Sequence, residues 1–232
     1  PSNSTTCNLA NTSFSVTATN VASYQWQVST NNGVSWSNVT NGGVYSNATT
    51  ATLNITGATT AMTTYQYRCQ LTTSCSVVAN TNAATLTVNP APSVTTHPSS
   101  KIICNNGSTT FSATGTGFGT ITYQWQVSTN SGVSWSNISN GGIYSGATGT
   151  ILTLTGATTA LNGNWYRAVI SGSCSPAANT NPATLTVNIA PTVTGNPSDA
   201  TICPNGNTSF TCSGTGSGIT YQWQVSTNGG VS

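Results

Sequence analysis

The heptapeptide Tyr-Gln-Trp-Gln-Val-Ser-Thr occurs at Tyr24–Thr30, Tyr123–Thr129 and Tyr221–Thr227, at intervals of 99 and 98 residues. Two further blocks keep the interval: Gly33–Asn38 returns as Gly132–Asn137, and Ala84–Asn89 as Ala183–Asn188. A period near 100 residues is the length of a whole domain, so each repeat is expected to enclose its own core. Pro-x-Val-Thr segments follow Ala91 and Ala190 and mark the joints. The expected division is a first repeat over 1–90 that lacks its first strand, a complete second repeat over 91–189, and a partial third over 190–232 that holds only the first strands. A half-built sandwich exposes a sheet edge and a core face. The third repeat is therefore expected to be completed by further residues of a longer polypeptide, or alternatively by a neighbouring chain.

Within the second repeat, apolar and polar residues alternate in short runs. Ser108–Thr114 alternates around Phe111, and Ile121–Ser128 sets Tyr123, Trp125 and Val127 against Gln124 and Gln126. Val133–Ile138, Ile151–Thr155, Trp165–Ile170 and Ala183–Asn188 follow, with turn residues such as Asn140-Gly141-Gly142 between them. A period of two bounded by turn signals reads as strands, and no helical period competes with it. About seven strands in one repeat predict a two-sheet sandwich.

Composition narrows what such a sandwich could do. Arg68, Lys101, Arg167 and Asp199 are the only formally charged side chains, and His97 is the sole histidine. Three scattered cations cannot neutralise a phosphate backbone, so nucleic acid is not expected as a partner. No apolar run is long enough to span a bilayer in this segment. Asp199 and His97 fall in different repeats and neither recurs, so no acid–base pair or activated serine is expected, and the chain is read as no enzyme. One carboxylate cannot ligate calcium, and the cysteines lack metal-site spacing, so neither a metal nor a cofactor is expected. The six Trp, eight Tyr and four Phe argue against disorder.

Trp26, Trp125 and Trp223 occupy the third strand, where an immunoglobulin-type domain buries its core tryptophan. Tyr67 and Tyr166, in Tyr67-Arg68-Cys69 and Tyr166-Arg167-Ala168, are expected in the core as well, with hydroxyls bonded back to the chain as in a tyrosine corner. On the outward face alternation places Gln25, Gln27 and Arg68, and likewise Gln124, Gln126 and Arg167, as a candidate interaction surface for sugar or protein. Trp36 and Trp135 are expected to cover the sandwich edge.

The succession Cys-x-Asn-x-x-Thr/Ser-x-Phe, YQWQVST-x-x-GVSW, Tyr-Arg-Cys or Tyr-Arg-Ala, and ATLTVN resembles the immunoglobulin-like repeats of very large Bacteroidota surface proteins, along essentially the whole chain. The resemblance implies type IX export and a role in adhesion, gliding or prey capture. The expected architecture is therefore all-β: tandem immunoglobulin-like β-sandwich domains in a linear rod, at the cell surface or in an extracellular filament. The low charge permits lateral packing, so a homo-oligomer or filament bundle is expected, with a surface glycan or protein as possible target. The alternative is an array of carbohydrate- or protein-binding modules attached to an exported enzyme.

Seven cysteines complete the reading. Repeat alignment equates Cys7, Cys104 and Cys203, and equates Cys75 with Cys174, which predicts disulfides Cys7–Cys75 and Cys104–Cys174 in an oxidising compartment. Cys69, Cys203 and Cys212 are expected to have no partner within this chain. Cys69 and Cys212 stand at the two inter-sheet disulfide positions of antibody-type domains, in different repeats.

Overall fold

The computed structural model describes residues 1–230. In the first repeat the strands are β1 (Ser4–Cys7), β2 (Thr12–Ser15), β3 (Ser23–Ser29), β4 (Ser37–Asn38), β5 (Tyr45–Ser46) and β6 (Thr52–Ile55). They continue with β7 (Gln66–Thr72), β8 (Val78–Asn80) and β9 (Ala84–Asn89). One sheet runs β1-β9-β7-β3-β4 with β8 paired to β7, and the facing sheet runs β2-β6-β5. β1 pairs with β9 in parallel, Cys7 opposite Asn89. The central pair is β3 with β7, antiparallel, with Trp26 opposite Cys69 and Gln27 opposite Arg68.

In the second repeat the strands are β10 (Ser93–Thr96), β11 (Lys101–Cys104), β12 (Gly107–Ser112), β13 (Thr114–Thr116), β14 (Thr122–Ser128) and β15 (Ser136–Asn137). After these come β16 (Tyr144–Ser145), β17 (Ile151–Ala157), β18 (Trp165–Ser171), β19 (Ala178–Asn179) and β20 (Ala183–Asn188). The plan of the first repeat returns: β11-β20-β18-β14-β15 with β19 on β18, facing β12-β17-β16. β11 is again parallel to its closing strand, Cys104 opposite Asn188. A 3-10 turn, Thr60–Met62 or Thr159–Leu161, lies in each of the first two repeats. Its first backbone N–H donates to an asparagine Oδ1, from Thr60 to Asn8 at 3.1 Å and from Thr159 to Asn105 at 3.0 Å.

The cores follow from the alternation. In the first repeat Phe14, Trp26, Leu53, Ile55, Tyr67, Cys69 and Leu86 are sealed from solvent. The second buries the matching Phe111, Trp125, Leu152, Leu154, Tyr166, Ala168 and Leu185. Phe14 stacks on Tyr67 and Phe111 on Tyr166, each with ring centroids 4.8 Å apart. The indole N–H of each core tryptophan donates to a backbone carbonyl, Trp26 to Thr50 and Trp125 to Gly149, at 2.9 Å. Burying an indole without that acceptor would leave an orphaned donor in an apolar setting. Among the described residues no buried side-chain polar atom lacks a partner.

The third repeat is partial, as expected, but its tryptophan is not placed as expected. Among the described residues it forms β21 (Thr192–Gly195) paired with β22 (Ser213–Thr215) and no further strand. Trp223, expected in a core, is 52% exposed, against 0% for Trp26 and Trp125. The physical reason is the lack of neighbours: residues 190–230 include no counterpart of β6, β7 or β9, the strands that enclose Trp26. The last two residues expected in this repeat, 231 and 232, lie outside the described residues.

By spatial proximity the residues form two compact units. The first comprises 1–97, 113–124 and 168–180; the second comprises 98–112, 125–167 and 181–232.

Candidate functional site

On the outer face of the β4-β3-β7 sheet the polar side chains bond to one another. Arg68 Nε donates to Gln27 Oε1 at 2.8 Å, and Gln27 Nε2 donates to Asn38 Oδ1 at 2.9 Å. The Arg68 guanidinium lies 4.3 Å from the centroid of the Trp36 ring. The second repeat repeats each contact. Arg167 Nε donates to Gln126 Oε1 at 2.8 Å, Gln126 Nε2 donates to Asn137 at 2.9 Å, and Arg167 sits 4.2 Å from the Trp135 ring centroid. Burial lowers the pKa of Arg167 from its ordinary value. Gln25 is also engaged, donating through Nε2 to the carbonyls of Trp26 and Val39 at 2.8 and 2.9 Å. Gln124 is half-buried.

The tryptophan of this latch is set by a local turn. Ser29 Oγ accepts from Gly33 N at 2.8 Å and donates to Asn31 Oδ1 at 2.9 Å. Asn31 Oδ1 also accepts from Ser35 N, and Trp36 Nε1 donates to the Gly33 carbonyl at 3.1 Å. Gly33 takes φ +83°, the left-handed region in which a side chain is strained. Ser128, Asn130, Gly132, Ser134 and Trp135 form the same turn. Trp36 and Trp135 are half-buried under the arginines, neither open platforms nor core. The face expected to be available for a ligand is thus largely self-satisfied.

Inside the sandwich, the tyrosine pattern has a different partner from the one expected. The Tyr67 hydroxyl bonds to the Tyr45 hydroxyl at 3.0 Å, and Tyr166 to Tyr144 at 3.2 Å, instead of to the backbone. Because β5 belongs to the sheet facing β7, the pair ties the two sheets together. Burial, and then the partner hydroxyl, push the Tyr67 and Tyr166 phenols far above the ordinary value of 10.0. Sequence alternation could place Tyr67 inward but carried no sign that Tyr45 would meet it.

The cysteines overturn the predicted pairing. The disulfide joins Cys7 to Cys174, 167 residues apart, both within the first compact unit. Cys75 and Cys104 are exposed free thiols, so neither Cys7–Cys75 nor Cys104–Cys174 is formed. The error lies in assuming that equivalent cysteines close within one repeat. Cys7 ends β1, and its sulfur meets the β18–β19 hairpin, not the β7–β8 hairpin that carries Cys75. A loop of that length is worth about 5 kcal/mol on the chain-entropy model. Cys69 is a buried free thiol whose pKa burial raises. Cys203 and Cys212 are free and exposed. Among the described residues no group of three or more His, Cys, Asp or Glu could hold a metal ion.

Comparison with known proteins agrees with the architecture. Residues 93–189 match the family described as "Domain of unknown function (DUF8696)", which is less than half of the chain. No curated protein matches. The I-band fragment I67–I69 from titin aligns with a TM-score of 0.56 at 17% identity, over 85% of this chain and 66% of the fragment. An E-to-A variant of the same three titin domains aligns at 0.57 and 17% identity, over 85% of this chain and 66% of that one. The chain thus spans about two thirds of the titin fragments' length. DIP-gamma IG1+IG2 aligns at 0.49 and 14% identity, over 80% of this chain and 93% of that one. At these identities the titin matches establish the fold: an all-β chain of tandem immunoglobulin-like sandwiches. No helix among the described residues is long and apolar enough to cross a membrane.

Proposed function

We propose that the chain is a structural and adhesive segment of a long extracellular surface or filament protein, of the Bacteroidota adhesin, gliding or prey-capture class that its motifs resemble. The observation that carries this reading is the Cys7–Cys174 disulfide spanning 167 residues of a tandem sandwich chain. A covalent bypass of that length limits how far the chain lengthens under tension. The self-bonded outer faces support the same reading over the alternative of a binding-module array on an exported enzyme. Gln27 and Arg68 spend their hydrogen bonds on each other and on Asn38. Disulfide chemistry fits an oxidising, extracellular location. The scarcity of charge removes like-charge repulsion between neighbouring copies, which favours a bundle of this chain with itself.

Single-molecule pulling from the two termini tests the proposal. In the oxidised chain the residues between Cys7 and Cys174 stay out of the load path. Reduction is expected to release them, adding about 550–600 Å of contour length at 3.3–3.6 Å per residue. An oxidised chain that extends as far as the reduced one, or sandwiches that open without a resolvable force peak, would overturn the mechanical role. Glycan-array binding by the isolated chain, lost on changing Gln27 and Gln126, would favour the binding-module reading instead.

A further inference from the structure

Three of the five free cysteines, Cys75, Cys104 and Cys203, stand at the disulfide's own repeat positions. Cys7 and Cys104 end matching parallel strands, opposite Asn89 and Asn188. Their surroundings agree in detail. The next residue donates its backbone N–H back across the ladder at 2.8 Å in both, Asn8 to Asn89 and Asn105 to Asn188. One residue further on, Leu9 and Asn106 both turn with φ 65°. The hairpin cysteines match too. Gln70 pairs with Asn80 in the β7–β8 hairpin, and Val169 pairs with Asn179 at the same register in β18–β19. Cys75 and Cys174 each stand three residues beyond the end of the longer strand. The disulfide therefore joins the parallel-strand cysteine of one repeat to the hairpin cysteine of the next. Shifting that rule by one repeat calls for a hairpin cysteine to meet Cys104 and a parallel-strand cysteine to meet Cys75. Residues 1–232 hold no third hairpin cysteine, and Cys203, the remaining equivalent of Cys7 and Cys104, is assigned by the rule to a later joint; Cys75 and Cys104 are likewise assigned to different joints.

We propose that Cys104 and Cys75 are the two open ends of a covalent ladder. In it Cys104 bonds to the hairpin cysteine, and Cys75 to the parallel-strand cysteine, of a further copy of this repeat. The inference goes beyond the mechanical reading. It concerns which sulfurs meet, and it is read by cross-link mapping, so it can fail while the force response stands, and the reverse.

The ladder is testable on the chain itself, because a second copy supplies the missing halves. The oxidant is a low-molecular-weight disulfide, here glutathione disulfide. The Cys104 thiolate attacks it, forms a mixed disulfide and expels one glutathione. The Cys75 thiolate of a second copy then attacks the Cys104 sulfur, forms the Cys75–Cys104 bond and expels the second glutathione. The two thiol protons end on the two glutathiones, and one glutathione disulfide is reduced per bond formed.

The experiment incubates the full chain carrying C203S and C212S, which removes the exposed thiols of the third repeat, with glutathione disulfide. Products are then read by non-reducing electrophoresis and peptide mass spectrometry. The expected result is a series of reducible multimers in which Cys75 is linked to Cys104 and Cys7 remains linked to Cys174. Adding either C75S or C104S is expected to abolish the series, because each bond needs one of each kind. Circular dichroism of both variants keeps misfolding separate from loss of linkage. Three outcomes would each overturn the proposal. They are Cys75–Cys75 or Cys104–Cys104 links that survive one of the substitutions, links of Cys7 to Cys75 or Cys104 to Cys174 within one chain, and a folded, oxidised chain that stays monomeric.

Discussion

The same seven residues, Tyr-Gln-Trp-Gln-Val-Ser-Thr, take two states in this chain. At Tyr24–Thr30 and Tyr123–Thr129 they form a central strand around a sealed tryptophan. At Tyr221–Thr227 they form no strand, and Trp223 is half open to solvent. Local features survive the difference. Ser226 Oγ still accepts from Gly230 N at 2.8 Å and donates to Asn228 at 2.7 Å, as its counterparts Ser29 and Ser128 do. Asn205 still takes φ 63° two residues after Cys203, like Asn106 after Cys104. A turn whose bonds close within five residues needs no partner. A central strand whose main ladder partner lies 37–49 positions further along the chain, as β7 does for β3, has no such ladder without it.

The largest test of this contrast is the tryptophan itself. Trp26→Ala or Trp125→Ala is expected to cost about 3–5 kcal/mol, by the lost transfer energy and the cavity left behind. Trp223→Ala should stay within about 0.5 kcal/mol, as at an exposed site. Denaturant midpoints for the three variants measure it, and comparable losses at all three positions would break the comparison.

Alkaline titration sharpens it next. In the unfolded chain a phenol ionises near pH 10, whereas Tyr67 and Tyr166 keep their protons in the folded state. The folded state thus binds more protons, so stability is intact below about pH 10 and falls as pH rises above it. The slope is about 1.4 kcal/mol per pH unit for each such phenol. Unfolding curves and tyrosinate absorbance should change together, and Tyr67→Phe should remove one phenol's share of the slope.

A smaller effect is expected on the outer face. Arg167→Ala gives up one hydrogen bond and one ring contact, about 1–2 kcal/mol together. Arg167→Lys should recover only part of this, because an ammonium keeps the charge without the planar fork. Thermal unfolding of the pair checks it.

The smallest effect is no effect. With one carboxylate in the whole sequence, neither the built repeats nor the third can draw stiffness from calcium, so unfolding in EDTA should match unfolding in calcium. A calcium-dependent shift in melting would contradict the account of both regions.

How much of this was legible beforehand depended on how far each interaction reaches. The repeat interval, the all-β class, the inward side of Trp26 and Trp125 and the outward side of Gln27 and Arg68 were readable from periodicity. Alternation acts on neighbouring residues and needs no knowledge of the partner strand. The latch of Arg68 on Gln27 and Trp36 was half legible. The three residues were named, but two were assigned to a ligand-facing surface and the third to the edge. The parallel β1–β9 pairing was not legible, because a parallel partner leaves no turn signature between the two strands.

The sequence by itself determined which side of each strand faces the core, where the tight turns fall and which cysteines are equivalent. All of these follow from local sterics, side-chain period and repetition. Tertiary structure alone decided that Tyr67 meets Tyr45 and that Cys7 bonds to Cys174. Those outcomes depend on which distant surfaces come within bonding reach. Two hairpins with cysteines at the same register are alike in sequence terms, and only the placement of the chain in space distinguishes the one that Cys7 meets.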